Sequence, residues 1–439
     1  MNTKSTVAST SAQAPESGTT FIRQGSLLVV ATVSGGVFMT LTQIVANRWM
    51  EPVEYVIWCA LLRVFLLMSI PSAGLQIIFA QQTAAAVTDV RHRQLTTTLG
   101  ATLRATFYIW LFMVAVAFFA QSKWVSALKI TNPAALWVTV MIGLASLWSP
   151  ILRGVLQGQQ NFTGLGRVLI LDGMGRFAAI AVILWLGGQA AGGMTGALIG
   201  QGVSVLVGAW LIRRLLFDPG ERMEWRPWLR RVVPLTLGIG TIQFMSNADV
   251  VYVQSLFSSE KTLLYMPAAI IGLALVTFTT PLAAVMFPKV VRSAALTQDT
   301  RAVRQALTAT ALLCGAAALA CTALPDLPLR IIYFSRPIYW AAAPLVPWFA
   351  WCLVPLVLAN VLLSNLLARE RFAVVPWTSL LAVGYGVALW MLKPRLLLMA
   401  ELDAFRTVIQ TLGAFSLLLL ALTALFTWRE KVRAAAQAA

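Results

Sequence analysis

The stretch VEYVIWCALLRVFLLMSIPSAGLQIIFA, residues 53–80, decides the fold class of this chain. Its only charged residues are Glu54 and Arg63, and most of the others are apolar. A helix of about 20 apolar residues crosses the hydrocarbon core of a bilayer, so this stretch is predicted to span a membrane. Working outward, further apolar stretches of spanning length lie at 24–47, 102–121, 134–156, 165–187, 192–213, 232–257, 263–288, 305–324, 340–367, 373–392 and 405–428.

The composition agrees with a chain made mostly of membrane-spanning helices. Of its 439 residues, 59% are hydrophobic and 11% are charged, whereas a soluble domain carries about 25% charged residues. We therefore predict an all-α membrane protein with about twelve transmembrane helices.

The basic residues predict the orientation of these helices. The chain has 33 Lys and Arg against 16 Asp and Glu, a net charge of +17. If the N-terminus is cytoplasmic, two thirds of the 33 basic residues fall in cytoplasmic segments, as the positive-inside rule requires. We therefore expect an inner-membrane protein with both termini in the cytoplasm. The charge then reflects this topology and attraction to anionic membrane lipids, and not a nucleic-acid partner.

An internal repeat divides the chain into two halves. Four residue pairs share one offset of 210 positions: Tyr55 with Tyr265, Pro71 with Pro281, Leu156 with Leu366, and Phe162 with Phe372. Repeated halves are common in transporters. The predicted segments are a disordered cytoplasmic tail at 1–20, a six-helix lobe at 21–213, a cytoplasmic amphipathic linker at 214–231, a second six-helix lobe at 232–428, and a cytoplasmic tail at 429–439.

Four charged residues are clear cases of a charge inside a predicted span: Arg63, Asp172, Arg176 and Asp249. A charge at the bilayer centre costs about 2.5–3.5 kcal/mol on insertion scales, so each needs a partner or a function. Arg63 has no carboxylate three or four positions away, and its partner must therefore come from another helix or from a ligand. We expect it to contact substrate, because a guanidinium matches phosphate bidentately. A structural bond between helices is the alternative.

Asp172 and Arg176 lie four positions apart in LILDGMGRFAAI, residues 169–180, and so share one helical face. Either the two charges neutralise each other and the pair only packs, or Asp172 holds Arg176 until a substrate anion competes for it. Both interpretations stay open, and the second makes them candidate substrate-binding residues.

Asp249 and Asn247 lie in FMSNADVVYVQSL, residues 244–256. The carboxylate either binds a coupling cation or accepts a hydrogen bond that fixes its helix. The pair is the candidate site for ion coupling.

Nothing else in the sequence indicates a reaction centre. The chain has no glycine-rich phosphate loop, no His or Cys at metal-ligand spacing, and no nucleophile with a base. We therefore expect a protein that is not an enzyme, with no catalytic residue, metal or cofactor.

Two stretches resemble the polysaccharide flippase family of the multidrug/oligosaccharidyl-lipid/polysaccharide exporter superfamily. The first, RGVLQGQQNFTGLGRVLILDGMGRF at 153–177, is similar to the family's junction between spans four and five. The second, NADVVYVQSLFSSEKTLLYMPAAIIGLALVTFTTPLAAVMFPKVVRS at 247–293, is similar to its spans seven and eight. The length and predicted topology also match over nearly the whole chain.

The resemblance implies two six-helix lobes around a central cavity that works by alternating access. It implies a flippase that turns an undecaprenyl-diphosphate-linked oligosaccharide from the cytoplasmic to the outer leaflet for cell-surface polysaccharide biosynthesis. Polysaccharide polymerase or other assembly proteins would then be partners. On this view Arg63 and Arg176 meet the diphosphate or acidic sugars.

Three other interpretations stay open. A cation-coupled multidrug or organic-cation exporter of the same superfamily would use acidic residues such as Asp249 in its cavity. A membrane enzyme of polysaccharide assembly would need a long outer loop for its reaction, and the outer loops here are short. A third possibility is a non-transporting member of a glycan assembly complex.

Overall fold

The computed structural model describes residues 18–217, 221, 224–274, 276 and 301–438, and this part of the chain is helical, with no β-strand in it. Ten helical stretches within it are long and apolar enough to cross a membrane. Of the other two predicted spans, 232–257 forms two helices, and 263–288 is described only as far as 274 and at 276. The all-α prediction is confirmed, and twelve spans are consistent with these helices.

The helices of the first half lie at α1 (Gly18–Trp49), α2 (Pro52–Met68), α3 (Leu75–Ala85), α4 (Asp89–Phe119), α5 (Gln121–Leu128), α6 (Ala134–Gly158), α7 (Phe162–Trp185), α8 (Ala190–Leu211) and α9 (Arg213–Phe217). Those of the second half lie at α10 (Trp225–Met245), α11 (Ala248–Leu256), α12 (Ser259–Thr262), α13 (266–274), α14 (Arg301–Ala323), α15 (Asp326–Ile332), α16 (Val346–Ala368), α17 (Val375–Leu396) and α18 (Glu401–Ala438). Short 3₁₀ helices lie at Ile70–Ser72, Pro337–Leu345 and Phe372–Val374.

The helices pack into two lobes, α1–α8 and α10–α18. In the first lobe α7 packs between α1 and α8, and α6 packs against α3 and α8. In the second, α16 packs between α14 and α18. The lobes meet where α2 packs against α11 and α12, and where α10 packs against the 3₁₀ turn at Ile70–Ser72.

Predicted spans two and seven are each broken into two helices. The break between α2 and α3 contains Pro71, which has no N–H to continue the helix. Gly74 follows it, and a methyl group there would lie 2.7 Å from the backbone nitrogen of Thr236 in α10. The break between α10 and α11 is at Asn247, whose Nδ2 donates to the Gln243 carbonyl oxygen at 2.7 Å. Both breaks lie where the lobes meet.

The turn between α6 and α7 recurs 210 residues later, at the same offset as the sequence repeat. Gln160 and Glu370 both have left-handed backbone, with φ of 56° and 55°. The residue after each donates its N–H to a carbonyl five positions back, Asn161 to Leu156 at 3.0 Å and Arg371 to Leu366 at 2.9 Å. Of the residues that identified the repeat, Pro281 lies outside the described residues. The two halves therefore share one local geometry at this turn.

Three predicted segments have different bounds in the structure. α1 begins at Gly18, and the rest of the predicted tail at 1–20 lies outside the described residues. In the predicted linker, Trp225 and Trp228 belong to the first turns of α10, which continues to Met245. The last helix continues through the predicted tail to Ala438.

Candidate functional site

Two arginines surround Asp172 inside the first lobe. Arg176 donates from Nε and Nη2 to Asp172 Oδ1, at 2.9 and 2.6 Å. Arg153 in α6 donates from Nη2 to the other carboxylate oxygen at 2.7 Å. The three side chains are 11–19% exposed. Two positive charges around one negative charge leave a net charge of +1 inside the first lobe.

Close packing of α7 sets the direction in which these side chains point. A methyl group on Gly173 would lie 2.9 Å from Gly35 Cα, and one on Gly175 would lie 3.3 Å from Gly200 Cα. These glycines let α7 pack closely against α1 and α8. Because α7 is fixed on those two sides, its face with Asp172 and Arg176 is directed into the lobe. The arginine–aspartate–arginine group (Arg153, Asp172 and Arg176) is therefore held by backbone packing.

Arg153 was not predicted from the sequence as a site residue, although it lies near the end of the predicted span 134–156. Its contact with Asp172 depends on how α6 and α7 pair across their turn, where Asn161 Oδ1 accepts the Gly164 N–H at 2.9 Å. Arg153 and Asp172 are 19 positions apart, and no helical periodicity predicts a contact at that separation. Arg153 Nε is buried and has no hydrogen-bond partner among the described residues. This donor is therefore unpaired within the described part of the chain.

Arg63 is buried where the two lobes meet, with 4% of its surface exposed. Its Nη1 donates to Asn247 Oδ1 at 3.1 Å, and its Nη2 donates to the Ala269 carbonyl oxygen at 3.4 Å. Both partners belong to the second half of the chain. Of the two predicted sources of a partner, another helix or a ligand, the structure shows the first, and contact with substrate stays a prediction.

Asp249 has no charged neighbour in the sequence, but it has a partner in the structure. Its Oδ2 accepts the hydroxyl hydrogen of Tyr265 at 2.7 Å. Its Oδ1 is buried and has no hydrogen-bond partner in the described part of the chain. Asp249 and Arg63 line one cavity of about 10 Å³, together with Ser246. This is about the volume that holds one water molecule.

The structure therefore groups the predicted residues into two separate clusters. Arg63, Asn247 and Asp249 lie together at the lobe junction, although the sequence assigned them to different roles. The guanidinium carbon of Arg176 lies 5.7 Å from the centre of the Phe65 ring. Phe65 follows Arg63 by two positions and so points to nearly the opposite side of α2. Arg63 and Arg176 consequently do not form one site in this conformation.

A group of three tyrosines joins the lobes at the predicted outer face, where α1 ends and α2 begins. The hydroxyl oxygens of Tyr55 and Tyr333 are 2.9 Å apart. Tyr55 donates to Gln43 Oε1 at 2.9 Å, so Tyr333 must donate to Tyr55. The ring of Tyr339 packs against both, with centroid distances of 5.5 and 4.8 Å. All three tyrosines are fully buried.

Further hydrogen bonds join the lobes at the same face. Asn47 Nδ2 donates to the Ile332 carbonyl oxygen at 3.0 Å. Lys129 Nζ donates to the Gln254 carbonyl oxygen at 2.6 Å, and Gln254 Nε2 donates to the Leu128 carbonyl oxygen at 3.1 Å. Burial lowers the pKa of Lys129. The lobes are therefore closed against each other at this face.

The comparisons with known sequences found no matching family model and no matching curated protein. Solved structures do match. A multidrug resistance MATE family transporter of the MOP superfamily in its inward-facing conformation has a TM-score of 0.71 at 11% identity, covering 92% of this chain and 98% of that one. The lipid II flippase MurJ, in an inward closed conformation, has a TM-score of 0.68 at 11% identity, covering 91% and 87%.

A MOP superfamily transporter from Pyrococcus furiosus, described as having a binding pocket of reverse polarity, has a TM-score of 0.66 at 12% identity, covering 94% of this chain and 96% of that one. The fold of this chain is thus the two-lobed fold of MATE and MurJ transporters. At 11–12% identity the likeness shows the fold alone, and it does not select the polysaccharide branch.

Proposed function

We propose that this protein is a transporter that flips a lipid-linked oligosaccharide, carried on undecaprenyl diphosphate, from the cytoplasmic to the outer leaflet by alternating access. The observation that carries the proposal is the arginine–aspartate–arginine group inside the first lobe, with its net charge of +1. No catalytic step is part of this function.

A phosphate-bearing substrate fits the chemistry of this group. Guanidinium groups bind phosphate oxygens through paired N–H donors, and such charge-assisted bonds are roughly twice as strong as neutral ones. Asp172 holds both guanidinium groups in position before substrate arrives, so a diphosphate meets a preorganised site.

The contacts between the lobes support the alternating-access step. The tyrosine group and the bond from Lys129 to Gln254 join the lobes at the predicted outer face. On this proposal, substrate enters from the cytoplasmic side while the outer side is closed. The similarity to an inward-facing MATE transporter and to inward closed MurJ agrees with this direction.

The distribution of basic residues supports placement in the inner membrane with both termini in the cytoplasm. In this setting the substrate reaches the protein from the leaflet in which cytoplasmic enzymes assemble it. Polysaccharide polymerase or other assembly proteins would act on the glycan after it has been flipped.

A second candidate function is cation-coupled export of drugs or organic cations, and Asp249 favours it. Its buried Oδ1 has no partner among the described residues, and it faces a cavity that Ser246 also lines. Arg63 lines the same cavity, and its positive charge opposes the binding of a cation there. This arginine makes the cation-coupled exporter the second candidate and not the first.

The experiment that separates the two candidates follows lipid-linked glycan in cells that lack the protein. The flippase proposal expects undecaprenyl-diphosphate intermediates to accumulate on the cytoplasmic face, with rescue by wild type and by Arg104→Ala. It expects no rescue by Arg153→Gln, which removes one charge of the group. Unchanged glycan, with sensitivity to cationic compounds that depends on Asp249, would overturn the flippase proposal in favour of the exporter.

A further inference from the structure

A cavity of about 350 Å³ lies at the end of α8, on the opposite side of the bundle from the tyrosine group. Two segments line it. The turn after α6 contributes Gln159, and the junction of α8 with α9 contributes Trp210, Leu211, Ile212, Arg213, Arg214 and Leu215. The positive-inside rule places this end of the bundle at the cytoplasmic membrane interface.

Two arginines give the cavity its charge, and the short helix α9 holds them at its rim. Arg213 and Arg214 are exposed, whereas Ile212 and Leu215 on either side of them are buried. The Arg213 guanidinium carbon lies 4.6 Å from the centre of the Trp210 ring, and its Nη1 donates to the Trp210 carbonyl oxygen at 3.2 Å. The Arg213 side chain is thereby fixed beside the cavity.

An exposed apolar stripe runs from the cavity along α8. It consists of Ile199, Val203, Leu206 and Trp210, which follow one another at spacings of three or four residues and so share one helical face. Leu206 and Trp210 are the most exposed of the four, at 71% and 60%. The stripe is directed from the interface into the bilayer, the path that an acyl chain takes.

Other arginines make the same end of the bundle positive. Arg91 and Arg93 are exposed at the start of α4, which packs against α9, and Arg167 is exposed near the start of α7. Anionic headgroups of the cytoplasmic leaflet are attracted by such clusters, by about 1 kcal/mol for each basic residue near the surface.

We propose that this cavity binds the phosphate headgroup of an anionic phospholipid, with the acyl chains lying along the apolar stripe. The two arginines supply the charge, and Trp210 lies at the level of the headgroups, where tryptophan is enriched in membrane proteins. The stripe selects a lipid over a soluble phosphate, because only a molecule with acyl chains covers both surfaces. This site is separate from the arginine–aspartate–arginine group and does not depend on the proposed transport function.

The test measures phosphatidylglycerol bound to the purified full-length protein in detergent, by native mass spectrometry during titration with the lipid. We expect Arg213→Gln/Arg214→Gln to weaken binding roughly 25-fold, since each arginine contributes about fivefold near an anionic surface. The matched control is Lys393→Gln/Arg395→Gln, which removes two exposed cations at the opposite end of the bundle and keeps wild-type binding. Phosphatidylcholine and glycerol phosphate should bind far more weakly than phosphatidylglycerol.

Three results would overturn the proposal. The first is equal phosphatidylglycerol binding by wild type and the Arg213→Gln/Arg214→Gln variant. The second is an equal loss in the control pair. The third is equal binding of glycerol phosphate, which would make the cavity a site for soluble anions. If the glutamine pair does not fold, Arg213→Lys/Arg214→Lys keeps both charges and should retain binding, while single Arg214→Gln should lose about fivefold.

Discussion

Arg63 and Asn247 are 184 positions apart, and yet Arg63 Nη1 donates to Asn247 Oδ1 at 3.1 Å in the middle of the molecule. Arg63 belongs to α2 of the first lobe, and Asn247 lies at the break between α10 and α11 of the second. The bond therefore connects the lobes directly. Asp249, on the same broken span, lines the cavity that Arg63 also lines. A change in the charge near Arg63 therefore alters contacts made by both lobes.

Replacement of Arg63 tests its role at this junction. Arg63→Ala leaves the Asn247 and Ala269 oxygens without their donor, and an unsatisfied buried group costs about 1–3 kcal/mol. We expect loss of transport, with the protein still present in the membrane at a lower melting temperature. The measurement is complementation of a null strain together with the amount of protein in the membrane.

The matched control for Arg63 is Arg104→Ala, because Arg104 also lies in a predicted span but is exposed. It should complement fully. Full complementation by Arg63→Ala as well would mean that the junction arginine is not needed, and the predicted contact with substrate would be wrong.

Arg153→Gln tests the arginine–aspartate–arginine group. The variant lowers the net charge of the group from +1 to zero but leaves Asp172 paired with Arg176. We therefore expect normal folding and at least tenfold slower transport, because one guanidinium that binds phosphate has been lost. Transport assays on equal amounts of protein separate this result from a loss of stability.

The reversed pair Asp172→Arg/Arg176→Asp provides the second measurement on this group. It keeps a carboxylate and a guanidinium four positions apart, and folding should recover relative to either single variant. Transport should stay low, since the carboxylate has moved away from Arg153. Wild-type transport by the reversed pair would show that the residues only pack.

Much of the fold follows from local features of the sequence. Apolar runs of spanning length predicted the helices, and the turn that recurs at Gln160 and Glu370 has the same 210-residue offset as the sequence repeat. The breaks in spans two and seven were not predicted. Where α2 ends, Gly74 lies close to Thr236 of α10. A contact between residues so far apart in the sequence produces no periodic pattern from which the break could have been predicted.

The candidate site was predicted less completely than the fold. Intramembrane charges such as Arg63 and Asp249 are recognisable because lipid penalises them wherever they lie. Their partners are not recognisable in this way. Arg153 lies close to the end of its helix, where an arginine normally reaches the interface, and only the pairing of α6 with α7 directs it to Asp172. Tyr265 was identified by the repeat and not as a hydrogen-bond donor to Asp249.

Gly74→Ala tests the close approach of the two lobes. The added methyl group would lie 2.7 Å from the Thr236 nitrogen, a backbone atom that side-chain motion does not move. We expect this variant to push α10 away from the break between α2 and α3, and to destabilise the protein by about 1–3 kcal/mol, the usual cost of overpacking. Thermal unfolding in detergent measures the effect.

Gly100→Ala is the control for that variant. Gly100 lies within α4, and a methyl group there meets no atom within 4 Å. Alanine favours helix over glycine, so this variant should be about as stable as wild type or up to about 1 kcal/mol more stable. Equal stability of the two variants would indicate that the lobes separate easily at Gly74.

Tyr55→Phe tests whether the tyrosine group keeps the predicted outer face closed. The variant removes the hydroxyl that bonds with Tyr333 across the lobes and with Gln43 within the first lobe, but it keeps the ring contacts. Only the bond with Tyr333 differs between the closed and the open state. A neutral hydrogen bond contributes about 1 kcal/mol net, which corresponds to roughly a fivefold increase in the population that is open at this face. Cys59 is buried one helical turn from Tyr55 and provides a native reporter.

The measurement is the rate at which a membrane-impermeant maleimide, added from outside, labels Cys59 after Cys314, Cys321 and Cys352 have been replaced by alanine. Tyr55→Phe should raise this rate about fivefold, in line with the change in population. Tyr252→Phe is the control, because the Tyr252 hydroxyl is buried and has no hydrogen-bond partner among the described residues. An unchanged labelling rate in Tyr55→Phe would mean that the other bonds at this face, from Asn47 and Lys129, are sufficient to hold the lobes together.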